Sequence, residues 1–188
     1  MVFNNQISIV MQNELYLIVG DCPPYRKVAI INDATPLTHG AVRIGIGAGL
    51  INQTANAVAI GYGAGSQDQG WSAIAIGWNA GMQGQGQDAV AIGHRAGQEN
   101  QQLDAIAIGV GSGEFNQGHD SIALGRRAGR HDQAPNSISI NATGQELENK
   151  NPGTTVIKPM RAVKHVEPGF VPVYYNPKTG ELVFLDIS

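Results

Sequence analysis

A five-residue phrase returns every 16 residues without slippage, starting at positions 41, 57, 73, 89, 105, 121 and 137. It reads Ala-Val-Ala-Ile-Gly at 57–61 and 89–93, and Ala-Ile-Ala-Ile-Gly at 73–77 and 105–109. Variants stand at the ends: Ala-Val-Arg-Ile-Gly at 41–45, Ser-Ile-Ala-Leu-Gly at 121–125 and Ser-Ile-Ser-Ile-Asn at 137–141. A fixed period of this length means one structural unit stacked on copies of itself, so that each column of the repeat becomes a ladder. The pattern fixes an architecture before any chemistry is considered, and it argues against a conventional active site.

With the unit numbered 1 to 16, column 2 is Val or Ile throughout, and column 4 is Ile or Leu: Ile44, Ile60, Ile76, Ile92, Ile108, Leu124 and Ile140. Columns 1 and 3 are Ala or Ser except at Arg43. Large β-branched residues alternating with tiny ones describe a short strand with two unlike faces. The expectation is that Ile60, Ile76, Ile92, Ile108 and Leu124 fill the core while the Ala/Ser face lies close to another surface. A helix is excluded because glycines at columns 5 and 9, such as Gly61 and Gly65, would interrupt it within about one turn.

Column 9 is Gly in all six full repeats, including Gly65, Gly81, Gly97 and Gly113, and predicts a corner with positive φ or close backbone approach. Column 13 is Gln without exception, including Gln69, Gln85, Gln101 and Gln117. Stacked Gln side chains can bond from coil to coil; the other reading is an outward, hydrated row. Column 16 is Asn, Asp or Ser, residues that bond nearby backbone amides at turns. Two large aliphatics per 16 ordered residues make a thin core, since backbone ordering is costly and burial must offset it. Packing against other copies is therefore expected, and the isolated monomer is not expected to be the working unit.

The chain of 188 residues carries a net charge of −3, which gives no general attraction to nucleic acid or anionic membrane. Its single cysteine, Cys22, allows neither an internal disulfide framework nor a multi-cysteine metal site within one chain. No run of apolar residues is long enough to span a bilayer, and the N-terminus lacks the basic region and cleavage site of a secretory signal. Residues 1–40 do not repeat; segments 7–11, 14–19 and 27–31 read as strands of a β module that caps or docks the solenoid. The solenoid spans 41–141, residues 142–155 read as a linker, and 156–188 as a C-terminal β cap with a hairpin around Asn-Pro-Lys-Thr-Gly at 176–180.

The Gly-rich turns open no helix and so do not make a dinucleotide loop, and no repeat contains the calcium-binding nonapeptide. A 16-residue coil does not accommodate the three hexads of acyltransferase solenoids, and Thr54 is the only Thr in the six full repeats, against an ice-binding face. The histidines at 39, 94, 119, 131 and 165 lack zinc-ligand spacing, leaving surface or packing roles or a ring around a symmetry axis. No cofactor, metal or catalytic residue is expected. Columns 6 and 7 vary, which marks them as outward. There Tyr62, Trp78 and His94 form successive rungs about 4.8 Å apart. Such a strip suits stacking on sugar rings or packing against a neighbouring chain. Arg126, Arg127 and Arg130 make a basic cluster, either an anion-binding ring in a trimer or a solvated rim paired with Asp120 and Asp132.

The Ala-Ile-Ala-Ile-Gly…Ala-Gly unit resembles the head repeats of trimeric autotransporter adhesins, parallel β-rolls in which three chains pack around one axis. The resemblance covers residues 41–141; the signal peptide, heptad stalk and membrane anchor of bacterial adhesins are not evident in this text. The segments 136–144, 156–161 and 173–181 resemble fibre and structural proteins of large DNA viruses and tailed phages. Together they imply an all-β homotrimer, a parallel β-solenoid with small β modules at each end. The implied role is non-enzymatic: a fibre or spike on the virion surface that attaches to a host glycan or receptor, with residues 1–40 docking to other virion proteins. The alternative is a minor capsid or decoration protein that stabilises the particle without binding host. A solenoid transferase or polysaccharide-degrading enzyme is the third class. No nucleic-acid binding and no membrane insertion are expected.

Overall fold

A computed structural model describes residues 40–160 and two further strands, Val173–Tyr175 and Leu182–Phe184. The expected N-terminal module therefore lies outside the described residues, except for Gly40. The described fold is all-β and contains no helix. Columns 2–4 of seven successive coils form strands of one parallel sheet: Val42–Ile44, Val58–Ile60, Ile74–Ile76, Val90–Ile92, Ile106–Ile108, Ile122–Leu124 and Ile138–Asn141, the last running one residue further. Thr155–Lys158 adds an eighth strand after a step of 17 residues. The register is one repeat per rung, as in Ile76↔Ile92 and Ile92↔Ile108. Gly ends each of the first six strands after three residues. Gly77 has φ +129°, and a Cβ on it would stand 2.7 Å from the carbonyl oxygen of Gly93 on the next rung. Only glycine allows the coils to stack this closely at that corner.

The return leg, columns 11–13, forms a second and less regular wall. Gln67–Gln69 pairs in parallel with Gln83–Gln85, and single bridges continue the line from Ile51 to His131. Three further corners per coil take positive φ at columns 7, 12 and 16, for example Asn79, Asn100 and Asp88. Asn and Asp tolerate the left-handed region better than other side chains, which explains their placement there. Column 9 turns the chain inward: Gly97 has φ +51°, and a Cβ would lie 3.2 Å from that of Ala91.

The interior corrects the expected strand register. Ala59, Ala75, Ala91 and Ala107 of column 3, with Ala64, Ala80 and Ala96 of column 8, form the fully buried core. Ile60, Ile76, Ile92 and Leu124 are half-buried on the outer face of the sheet, and Ile108 is 39% exposed. The physical reason is the width of the coil. Two walls closed within 16 residues leave room between them for methyl groups but not for butyl groups, so the large aliphatics must point outward.

The largest fully buried side chains are the column 13 glutamines. Each Nε2 donates to the Oε1 of the Gln one coil on: Gln69 to Gln85 at 3.2 Å, Gln85 to Gln101 at 3.2 Å and Gln101 to Gln117 at 3.0 Å. The same nitrogen also reaches two main-chain carbonyls, as Gln85 does at Ile74 and Ala89. The amide is thus satisfied without water, and a buried polar row becomes tolerable. At the N-terminal end the Oε1 of Gln53 accepts from Nε of Arg43, the one large residue in column 3. At the other end Gln133 donates to Oγ of Ser137 at 3.2 Å.

Residues 142–155, expected as a linker, continue the coil. Asn149 stands in column 13 and donates to the Ile138 carbonyl at 3.2 Å, as each Gln does to the residue 11 positions before it. Leu147 accepts from the Gly129 N–H at 2.7 Å where the carbonyl of a small column 8 residue, Ala or Ser112, serves the other coils, and it is buried. Thr155–Lys158 then adds an eighth strand, paired Thr155↔Ile138. Val173–Tyr175 and Leu182–Phe184 pair antiparallel, Tyr174 opposite Val183.

Candidate functional site

Three surfaces carry the side chains that the fold does not consume. The first is the outer face of the eight-stranded sheet. Columns 2 and 4 place two aliphatics on each rung from Val42 and Ile44 to Ile138 and Ile140, with Val42 39% and Ile140 36% exposed. Between the two terminal strands the backbone beneath is paired on both sides in the parallel ladder, so this stretch of the wall offers mainly apolar surface.

The second surface is the turn after the sheet. Ladder bonds hold column 6 in register: Asn79 N–H donates to the Tyr62 carbonyl and Arg95 N–H to that of Trp78, both at 2.9 Å. Trp78 and His94 stack with ring centroids 4.6 Å apart and planes 27° apart, and the Arg95 guanidinium lies 5.5 Å from the Trp78 ring centroid. Tyr62 is 58% exposed and takes no part in this stack. Of the three aromatic candidates, two are therefore joined and one stands apart.

The third surface is a charged track running up columns 10 and 11. Glu114 is buried and receives Nε of Arg130 at 2.6 Å, with Arg95 at 3.8 Å. Arg130 continues to Glu146 at 3.3 Å, and His131 meets the same carboxylate at 3.5 Å while stacking on Phe115 at 5.1 Å. The hydrogen bond to Glu114 is the main reason the Arg130 pKa is raised above its ordinary value. Arg130 is thereby committed to structure, whereas Arg126 is exposed and neither it nor Arg127 has an ion-pair partner among the described residues. The partners expected for the cluster have other work: Asp120 lies 2.8 Å from His119, and Asp132 accepts from Asn116 at 2.9 Å.

Sequence reasoning missed Glu114 and Glu146, although the signal was present: 114, 130 and 146 stand one period apart in column 10. It also missed column 12, where Asn52 bonds Asp68 at 2.8 Å and Asn100 bonds Asn116 at 3.0 Å. Among the described residues no three His, Cys, Asp or Glu side chains converge to hold a metal ion. No protein family matches this chain, and no curated protein or solved structure is similar to it.

Proposed function

We propose that this chain is a non-enzymatic structural protein that assembles as a homotrimer into a fibre or spike on a virus particle and attaches it to the host. The observation that supports assembly is the uniform Val/Ile wall. The coil closes its own interior with Ala and Gln, and the wall's aliphatics lie outside it, half-buried or exposed in the single chain. They are nonetheless Val, Ile or Leu on every rung from Val42 to Ile140. An apolar stripe of this length marks an interaction surface on a soluble chain. Three identical walls meeting around an axis bury it with matched rungs. The count of three rests on the resemblance to adhesin head repeats, and the virion setting on the resemblance of segments 136–144, 156–161 and 173–181 to viral fibre proteins. Tyr62, Trp78, His94, Arg126 and Arg127 are then the outward candidates for host contact, and residues 1–40 the candidate docking segment for other virion proteins.

Light scattering on the purified chain is expected to give three copies. Ile92→Asp places three carboxylates in the proposed apolar junction and is expected to dissociate the trimer. A soluble folded monomer in the parent protein overturns the assembly, and a dimer overturns the count. Truncating Tyr62, Trp78 and His94 to Ala is expected to leave the trimer intact and reduce attachment. Unchanged attachment after loss of both these rings and the arginines favours the decoration role instead.

A further inference from the structure

The edge where the second wall turns back into the first holds a groove of about 790 Å³, lined by residues of columns 12 to 16 in consecutive coils. Two glycines create it. Gly84 takes the column 12 place that Asp68 and Asn100 hold on the rungs either side, and Gly86 precedes the bulkier Gln102 in column 14. The column 12 ladder is broken as a result. Asn100 donates its Nδ2 to Asn116 at 3.0 Å, but its Oδ1, 3.2 Å from where a Cβ of Gly84 would stand, has no donor from the rung below.

We propose that this groove is a subsite for a neutral pyranose sugar, with a ring hydroxyl taking the place of the missing ladder side chain. The lining is rich in acceptors and amides, with Asn100, Gln87, Gln102 and the Asp104 carboxylate around it. No Lys or Arg lines the groove, which disfavours an anionic ligand. A sugar ring presents hydroxyls at its rim and an apolar C–H face, and the lip of the groove matches the second property with Leu103, 50% exposed. Two rungs earlier in the same column, about 10 Å along the stack, Trp71 is 55% exposed and has no ring partner among the described residues. Aromatic faces stack on the C–H faces of sugars, so a ligand extended along column 15 would meet Trp71, Gln87 and Leu103 in turn. No residue of the Val/Ile wall lines the groove, so the subsite does not depend on the trimer or on host attachment.

Saturation-transfer NMR on the purified full chain tests this with the methyl pyranosides of glucose, galactose, mannose and N-acetylglucosamine, and methyl glucuronide as the charged control. Transfer to the ring protons of at least one neutral glycoside is expected, with weaker transfer to the glucuronide. Gly84→Asn restores the side chain that neighbouring coils carry at this corner, at φ +66°, a conformation Asn accepts. It should close the ladder and weaken binding at least tenfold while leaving the thermal midpoint unchanged or raised. Leu103→Ala and Trp71→Ala, both exposed, should each weaken binding without affecting assembly, and they decide the matter if Gly84→Asn does not fold. No transfer from any neutral glycoside, equal transfer from the glucuronide, or binding indifferent to all three substitutions overturns the proposal.

Discussion

The two walls of the coil are stacked by the same 16-residue step, yet their outward residues obey opposite rules. On the first wall, column 4 reads Ile, Ile, Ile, Ile, Ile, Leu, Ile from Ile44 to Ile140. On the second, column 11 reads Ile51, Gln67, Gln83, Glu99, Phe115 and His131, with no common property. Pairing differs in parallel: eight strands in an unbroken sheet on one side, one short pair and single bridges on the other. Under the proposed assembly, uniformity outside a wall whose interior is already filled is accounted for by an external surface that reads it. Variation calls only for solvent. The inward residues of both walls are nearly uniform, Ala or Ser in column 3 apart from Arg43 and Gln in column 13, so the asymmetry lies in the outward columns.

The most severe way to probe this division is to place a large aliphatic where the interior needs a methyl group. Ala91 is fully buried, and the Cβ position of Gly97 lies 3.2 Å from its own Cβ. Ala91→Leu cannot be accommodated by moving one rung, because each rung is bonded to the rungs above and below. Overpacking of this kind costs about 3 kcal/mol or more. For a chain of this length the thermal midpoint should fall by roughly 6 to 12 °C. Calorimetry showing no loss would return the large aliphatics to the core and abolish the distinction between the walls.

The buried polar row should be next in size. Gln101→Met keeps the shape but removes the donor to Val90 O, Ala105 O and Gln117 Oε1, and the acceptor for Gln85 Nε2. Unpaired buried groups cost about 1 to 3 kcal/mol, and Gln85 retains its two carbonyl partners. A loss of about 2 kcal/mol is therefore expected by thermal or denaturant unfolding. A neutral result would mean that the row is hydrated and adds nothing to the stack.

The period, the short strands and the glycine corners were legible because each is a column property that survives repetition. Which strand face is inside was not legible from alternation alone. Val58-Ala59-Ile60 alternates equally well in either sense, and the usual rule that large aliphatics go inside holds only where the cavity admits them. The deciding quantity is the gap between the walls, and no single column states it. The end of the solenoid was hidden for a different reason. Residues 142–154 lose the small-residue text, but Asn149 stands in for Gln, and Leu147 takes the acceptor place of the small column 8 residue. Of the candidate surface, the positions of Tyr62, Trp78 and His94 followed from column 6. The withdrawal of Arg130 into pairs with Glu114 and Glu146 needed contacts between coils that a column-by-column reading overlooks.

The smallest expected effect is also the sharpest test of the contrast between the walls, because it applies one residue type to both. Gln83→Thr changes an exposed side chain of the second wall, leaves its backbone bond to Gln98 in place, and introduces a residue suited to strands. Stability should move by no more than about 0.5 kcal/mol, and oligomeric state not at all. Ile76→Thr alters the equivalent outward position of the first wall, half-buried in the single chain. If copies pack on that wall, each chain loses apolar contact and gains a hydroxyl with no partner, so the assembled form should weaken by at least about 1 to 3 kcal/mol. Concentration-dependent sedimentation separates the two outcomes, since the loss should show as dissociation on dilution. Should both substitutions prove equally mild across the concentration range, the Val/Ile wall faces solvent as the second wall does, and its uniformity would need a cause other than contact between copies.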